Sequence, residues 1–194
     1  MEKEALKRIF EFLEEKEDHN KPLKLKLIFN EPLTEEDLDV KVGLDLTNTN
    51  ITSLPKGLKV GRDLSLRGSK ITSLPEGLEV GGDLLLYKSP IESLPKDLIV
   101  RGHLDLRSSS ITSLPKGLKV GGNLFLSYSD ITSLPEGLEV GGYLDLSFSR
   151  VELLPEGLKV GRNIYLSETL KIYKAWEIRD MVKPGGYING TIKR

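Results

Sequence analysis

The sequence contains no cysteine, which excludes disulfide bonds, thiolate metal sites and cysteine nucleophiles together. The absence of disulfides also favours a reducing compartment, so we expect a cytoplasmic protein, either in the producing cell or in a host cell. The first residues, MEKEALKRIFEFLEEKED, lack the apolar core of a signal peptide. No apolar run approaches the roughly 20 residues of a membrane span. We therefore expect neither export by a signal peptide nor a membrane partner.

No excess of one charge sign is present either. The 28 basic and 29 acidic residues give a net charge of −1, whereas nucleic-acid binders usually show a basic surplus or stripe. The local run of Lys21, Lys24 and Lys26 is more typical of a solvated strand edge. We therefore expect no nucleic-acid partner.

Catalytic signals are also scarce. His19 and His103 are the two histidines, and no nucleophile, metal cluster or phosphate loop accompanies them. Asp105 and Asp145 stand two repeats apart, about 9.6 Å at the usual strand spacing, near the upper limit for an inverting glycosidase pair. Because Phe125 lies between them and no cleft is implied, we expect a non-enzymatic protein without cofactor or metal.

A 20-residue repeat dominates the rest of the chain. Six full units begin at Leu44, Leu64, Leu84, Leu104, Leu124 and Leu144, and a partial seventh begins at Ile164. The unit reads L-x-L-x-x-[ST]-x-I-x-S-L-P-x-G-L-x-V-G-x-x. Two leucines two residues apart point to the same face of a strand. Stacked units therefore predict a solenoid with a parallel sheet of at least seven strands.

The remainder of each unit predicts turns and small polar groups. A proline and a glycine, such as Pro75 and Gly77, suit a tight return of the backbone, so we expect extended or turn backbone on the outer side and no long helix. Position six is always Ser or Thr. Such a ladder of hydroxyl groups is expected to satisfy buried backbone groups where the chain leaves the strand.

This unit resembles the leucine-rich repeat, with segments such as L64-S-L66-R-G-S69-K-I71 in place of L-x-x-L-x-L-x-x-N-x-L. The length and the Leu-Pro step are most similar to the short bacterial class found in type-three secreted effectors. The resemblance covers about residues 44 to 172. Two departures are the Ser or Thr at each Asn position and the glycine at Gly61 and its equivalents, where the family often has leucine.

The resemblance implies a right-handed solenoid with the parallel sheet on its concave face, extended or turn backbone on its convex face, and helical caps. It also implies an effector or inhibitor of bacterial or phage origin that occludes a partner protein. Members of that class often carry a cysteine-dependent ubiquitin-ligase domain. This sequence has no cysteine, so that activity is not carried over.

Three regions follow from the pattern. Residues 1–43 are expected to form an N-terminal cap, with an amphipathic helix over residues 2–17 and a strand in which Leu23, Leu25 and Leu27 alternate with lysines. Residues 44–172 form the repeat. Residues 173–194 are expected to form a C-terminal cap, whose helix over residues 171–182 buries Trp176 and whose final strand covers residues 187–192.

Variation between repeats indicates where a partner binds. The core positions are constant, whereas the columns beside the strand leucines vary and contain all the aromatic residues of the six full units. Exposed aromatics mixed with Arg and Asp are typical of protein-binding hot spots. The candidate partner-binding residues are Arg67, Tyr87, Asp105, Arg107, Phe125, Tyr128, Tyr143, Asp145, Phe148 and Tyr165.

Two alternatives stay open at this point. The aromatic residues could merely steady the sheet through cross-strand contacts, in a structural or adhesive repeat protein of a cell surface or a virion. The outer turns alternate Lys and Glu in a manner typical of solubility and register control. Ile99 interrupts that alternation, which indicates a possible second, smaller contact.

Overall fold

The computed structural model describes residue 4 and residues 23–194 of the chain. Each repeat contributes two short parallel strands, so the coils stack into two sheets. The even sheet contains β2 Leu44–Asp45, β4 Leu64–Ser65, β6 Leu84–Leu85, β8 Leu104–Asp105, β10 Leu124–Phe125, β12 Leu144–Asp145, β14 Ile164–Tyr165 and β16 Ile192–Lys193. The odd sheet contains β1 Asp39–Val40, β3 Lys59–Val60, β5 Glu79–Val80, β7 Ile99–Val100, β9 Lys119–Val120, β11 Glu139–Val140, β13 Lys159–Val160 and β15 Tyr187–Ile188.

The register between coils equals the sequence repeat. In the even sheet Leu104 pairs with Leu84 on one side and Leu124 on the other. The backbone N–H of Leu104 donates to the carbonyl of Asn123 at 2.9 Å. A shift of one residue would place every core leucine on the opposite face of the strand. The predicted solenoid with a parallel sheet of seven or more strands is therefore confirmed.

The core is one column of side chains for each apolar position of the repeat. In the second coil these are Leu64, Leu66, Ile71, Leu74, Leu78 and Val80, and all of them are buried. The same positions are buried in the neighbouring coils and form one continuous apolar cluster. Because each coil packs against the coil before and after it, burial is shared along the whole stack.

The outer side of each coil differs from the sequence-based expectation in one respect. Its backbone is extended, as expected, but it also pairs into the odd sheet, with Val80 opposite Val60 and Val100. The buried valine forces one face of this segment inward, and the adjacent backbone groups then pair with the next coil. A two-residue strand produces too short an alternation to be recognised in the sequence.

The hydroxyl ladder has the predicted structural role. Ser89, Ser109 and Ser129 each donate from Oγ to the carbonyl oxygen three residues earlier, at 2.6–2.7 Å. Thr49 does the same in the first coil. Ser69 Oγ is buried without a hydrogen-bond partner among the described residues. In these four coils the hydroxyl group thus satisfies the backbone carbonyl at the point where the chain turns out of the even strand.

The prediction of a strand over Leu23–Leu27 is wrong. This segment forms helix α1, Leu23–Phe29, with Leu25 buried. Leu23, Leu27 and Ile28 pack against the core, and Leu23 and Leu27 share one helix face because they are four residues apart. Three alternating leucines are too few to distinguish the two-residue period of a strand from the 3.6-residue period of a helix. Apart from residue 4, the predicted helix over residues 2–17 lies outside the described residues.

The C-terminal segment contains a helix, but its buried residues and its strands differ from the prediction. Helix α2 spans Ala175–Met181, but Trp176 is 61% exposed, and the buried residues are Ile178 and Val182. The predicted single final strand is instead the two strands β15 and β16, one in each sheet. The end of the chain thus adds one more turn to the solenoid.

An ion pair fastens α1 to the following 3-10 helix, Glu36–Leu38. Lys26 Nζ lies 2.7 Å from Asp37 Oδ2, with both side chains largely shielded from solvent. Although partial burial raises the pKa of Asp37, the hydrogen bonds from Lys26 and Thr34 outweigh it and hold that pKa below its ordinary value. The ionised carboxylate therefore stabilises this end of the fold.

Asp37→Asn is expected to lower the free energy of unfolding near neutral pH by about 1–3 kcal/mol, because it removes charge-assisted hydrogen bonds. A carboxyl group whose pKa is lowered in the folded state stabilises the fold at pH values above its unfolded-state pKa of about 4. That stabilisation is lost as the pH falls through the folded-state pKa. Urea unfolding of both proteins from pH 7 down to about pH 2.5 checks this. A difference that persists undiminished at the acid end would contradict it.

Candidate protein-binding face

The variable side chains beside the even strands form a surface that we call the binding face. It comprises the residues that lie before, between and after the two apolar strand positions of the L-x-L segment in coils two to seven. The structure gathers its aromatic residues into three clusters, centred on Tyr128 with Phe148, on Arg107, and on Tyr143 with Tyr165. Among residues 23–194 no ring contact joins one cluster to another.

Tyr128 and Phe148 form a stacked aromatic pair on adjacent coils. Their ring centroids are 4.7 Å apart and their planes differ by 7°. Tyr128 is 63% exposed and Phe148 is 45% exposed. The strand spacing between coils brings the two rings to stacking distance, but each ring still presents a large apolar area to solvent. This is the most exposed aromatic surface of the repeat region.

Both residues also stand on left-handed backbone, with φ of 57°. The whole column that leaves the even strands has this geometry, and it contains Asn48, Gly68, Lys88, Ser108, Tyr128, Phe148 and Glu168. Asn and Gly tolerate the left-handed region, whereas bulky residues there cost about 1–3 kcal/mol each. Sequence reasoning missed this strain, although Asn48 and Gly68 in the first two coils are the signal for it.

The second cluster is built around the guanidinium of Arg107. Its Cζ lies 5.5 Å from the ring centroid of Tyr87 and 5.4 Å from that of Phe125, within range of cation–π attraction. Lys88 Nζ lies 5.1 Å from the Tyr87 ring, and His103 meets Phe125 edge-on at 6.2 Å. Three coils thus contribute to one cationic and aromatic group.

Asp105 fixes the orientation of Arg107. The Nε and Nη2 atoms of Arg107 donate to the two carboxylate oxygens of Asp105 at 2.8 and 2.7 Å, and this raises the pKa of Arg107 above its ordinary value. Asp105 is only 2% exposed, so it holds Arg107 in place instead of facing solvent as the sequence suggested. The Nη1 donors of Arg107 are not used in this bidentate pair.

The third cluster contains Tyr143, Tyr165 and Arg162. The two tyrosine rings meet edge-on at 5.9 Å. Arg162 Cζ lies 5.6 Å from the Tyr143 centroid, and its Nη1 donates to the Tyr143 hydroxyl at 3.5 Å. Arg162 was not among the predicted site residues, because it lies before the strand, in the glycine-rich part of the repeat.

Two predicted residues stand apart from these clusters. Arg67 is exposed, and the cations near the Tyr87 ring among the described residues are Arg107 and Lys88. Asp145 Oδ1 accepts a hydrogen bond from the Ser147 N–H at 2.9 Å. The equivalent carboxyl of Asp45 is held below its ordinary pKa by the hydroxyl and the backbone N–H of Thr47.

A ladder of side-chain acceptors lines the strand entrances. Asp83 N–H donates to Asp63 Oδ1, His103 N–H to Asp83 Oδ1, Asn123 N–H to His103 Nδ1 and Tyr143 N–H to Asn123 Oδ1, all at 2.7–2.8 Å. Each acceptor belongs to the preceding coil. His103 is therefore part of the scaffold under Phe125, with Nδ1 unprotonated in this bond.

The described part of the chain contains no group of three or more His, Asp or Glu residues arranged to hold a metal ion. Neither α1 nor α2 has the length or the apolar run that crossing a bilayer would need. Comparison with known proteins adds no assignment: neither a protein-family profile nor a curated protein sequence matches this chain.

Proposed function

We propose that this chain is a non-enzymatic recognition module of the leucine-rich-repeat type, which binds one partner protein through the binding face. The stacked pair of Tyr128 and Phe148 carries the proposal. Both rings are substantially exposed and both stand on backbone that a bulky residue occupies at a cost. Strain retained at an exposed position is typical of a functional constraint rather than of folding.

The Arg107 cluster supports the same proposal. An arginine fixed by a buried carboxylate and by two rings loses little side-chain entropy when it binds. Aromatic and arginine residues are the types that most often dominate binding energy at protein interfaces. The binding face therefore combines apolar anchors with an ordered hydrogen-bond donor, which suits a protein partner that offers apolar and carbonyl or carboxylate groups.

By resemblance to the short bacterial repeat class, we propose that the protein is an effector or inhibitor that acts by covering its partner. The alternative is a structural or adhesive repeat protein. Among residues 23–194, β15 and β16 are edge strands of the two sheets, and edge strands can pair with further strands, which supports this alternative.

Tyr128→Asn with Phe148→Asn tests the proposal, because the first coil already has Asn48 in this left-handed column. We expect the variant to stay within about 1 kcal/mol of wild-type stability, since strain relief offsets the lost stacking. Immobilised wild-type and variant chains are exposed to a lysate of the native host, and the bound proteins are identified by mass spectrometry.

The expected result is one protein that the wild type enriches and the variant does not, with its direct binding confirmed from purified components. Glu136→Lys, on the outer turn, is the matched folded control and should retain that protein. If the aromatic variant retains every partner of the wild type, the binding face is not the site. Self-association of the wild type without any partner would favour the structural alternative.

A further inference from the structure

The third coil departs from the other coils on its outer side, away from the binding face. Position 97 is Asp where the other five full coils have Gly, and position 101 is Arg where those coils also have Gly. Position 99 is Ile where they have Lys or Glu. Three departures within five residues, all exposed, are unusual in a repeat that is otherwise this regular.

The arginine has a structural cost. A Cβ atom placed on Gly81 or Gly141 would overlap the carbonyl oxygen of the same position in the preceding coil, so this column is built for glycine. Near Arg101 the pairing of the odd sheet is reduced. Strands β7 and β9 pair through one residue pair, whereas the other neighbouring strands pair through two. The N–H of Ile99 lies 3.4 Å from its acceptor, the carbonyl of Leu78.

The same coil interrupts the ion-pair ladder of the outer turns. Lys56 pairs with Glu76 at 2.9 Å and Lys116 pairs with Glu136 at 2.8 Å. Between them, within residues 23–194, Lys96 and Arg101 have no carboxylate within ion-pair distance. Lys96 and Arg101 are thus left without an ion pair, whereas the outer-turn residues Lys56 and Lys116 have one.

Lys96 and Arg101 border a shallow groove of about 590 Å³ between coils three and four. Ile99, 43% exposed, lies in it, and Leu98, Val100 and Leu118 line its floor. Lys119 forms the far wall and is already paired with Glu139 at 3.4 Å. The nearby carboxylate of Asp97 is turned toward the second coil, where it accepts a hydrogen bond from the Gly77 N–H at 2.7 Å.

We propose that this groove is a second binding site, which takes an acidic protein segment with one apolar side chain between its carboxylates. The charge of the groove selects the occupant, because Lys96 and Arg101 offer positive charge that no ion pair within residues 23–194 takes up. Ile99 supplies the apolar contact between them. The site lies on the odd sheet, so it does not depend on the function proposed for the binding face.

The test uses the full chain, labelled with nitrogen-15, and the peptide acetyl-Glu-Asp-Leu-Asp-Glu-amide as the probe. We expect saturable shifts of the backbone amides of residues 96–101 and 117–121. Lys96→Glu with Ile99→Glu imposes the pattern of the second and fifth coils and should weaken binding at least about tenfold. Arg101→Gly, which restores the residue of the other coils, should also weaken it and cannot introduce a steric clash.

Lys56→Glu with Lys59→Gln is the matched control, since it produces the same change in net charge outside the groove and should leave the affinity within about twofold. Equal loss in both double variants would overturn the proposal in favour of general electrostatic attraction. Absence of saturable shifts at peptide concentrations up to about 1 mM would also overturn it. Shifts produced equally by inorganic phosphate or by a peptide with Ser in place of Leu would replace the segment with a simple anion.

Discussion

Leu106→Ala is expected to lower the free energy of unfolding by about 2–5 kcal/mol. Leu106 is fully buried in the fourth coil, between the equally buried Leu86 and Leu126 of the adjacent coils. The hydrogen bonds of both sheets fix the distance between coils, so the neighbours cannot collapse into the cavity. Because each coil supports the next, this one cavity weakens the interfaces on both of its sides.

Lys116→Ala is the control for this experiment. Lys116 pairs with Glu136 on the outer turn, with both side chains mostly in solvent, and such pairs contribute little. Hydrogen bonding and charge from Glu136 raise the pKa of Lys116, but its exposure makes the pair weak. We expect urea unfolding of this variant to match that of the wild type closely, since the substitution lies on the surface. Similar destabilisation by the two substitutions would contradict the inward and outward assignments of the repeat.

Phe125→Ala with Phe148→Ala is expected to weaken partner binding at least about tenfold, since buried aromatic anchors at interface centres typically contribute about 2 kcal/mol or more each. The pair removes one ring from each of two clusters, the stack on Tyr128 and the ring beneath Arg107. Titration calorimetry with the identified partner measures the effect. Thermal unfolding of the variant establishes that it remains folded.

The arginines of the binding face provide an independent measurement. Arg67→Glu with Arg107→Glu should weaken binding more at low salt than at high salt, because screening suppresses the charge contribution. Arg107→Lys keeps the charge but loses the bidentate hydrogen bond to Asp105. This variant therefore separates the effect of side-chain orientation on binding from the effect of charge. Unchanged affinity in both double variants would move the site to a cap or to the groove at Ile99.

The repeat region was predictable because its signals are redundant. Leucine occurs at the positions of Leu104 and Leu106 in all six full coils, so one wrong interpretation at one position could not change the fold. The stacked pair of Tyr128 and Phe148 followed from the 20-residue spacing alone, because equal positions of adjacent coils lie side by side in a parallel sheet. The hydroxyl ladder was predictable for the same reason.

The ends of the solenoid were not predictable in detail, because each of their signals occurs once. Leu23, Leu25 and Leu27 are compatible with a strand and with a helix, and packing against the first coil selects the helix. Trp176 has the largest side chain of α2, and its size predicts burial, but the helix presents Ile178 to the core instead. Which face of a short helix is buried depends on the position and direction in which the helix begins after the last coil.

By itself the sequence determined the coil length, the core columns and the face on which the aromatic residues lie, because a strict repeat translates sequence distance directly into spatial distance. Only the tertiary structure decided how those side chains contact one another. It buried Asp105 beneath Arg107, placed Tyr128 and Phe148 on left-handed backbone and paired the outer segments into a second sheet. These outcomes depend on side-chain reach and backbone angles between coils, which the 20-residue period does not specify.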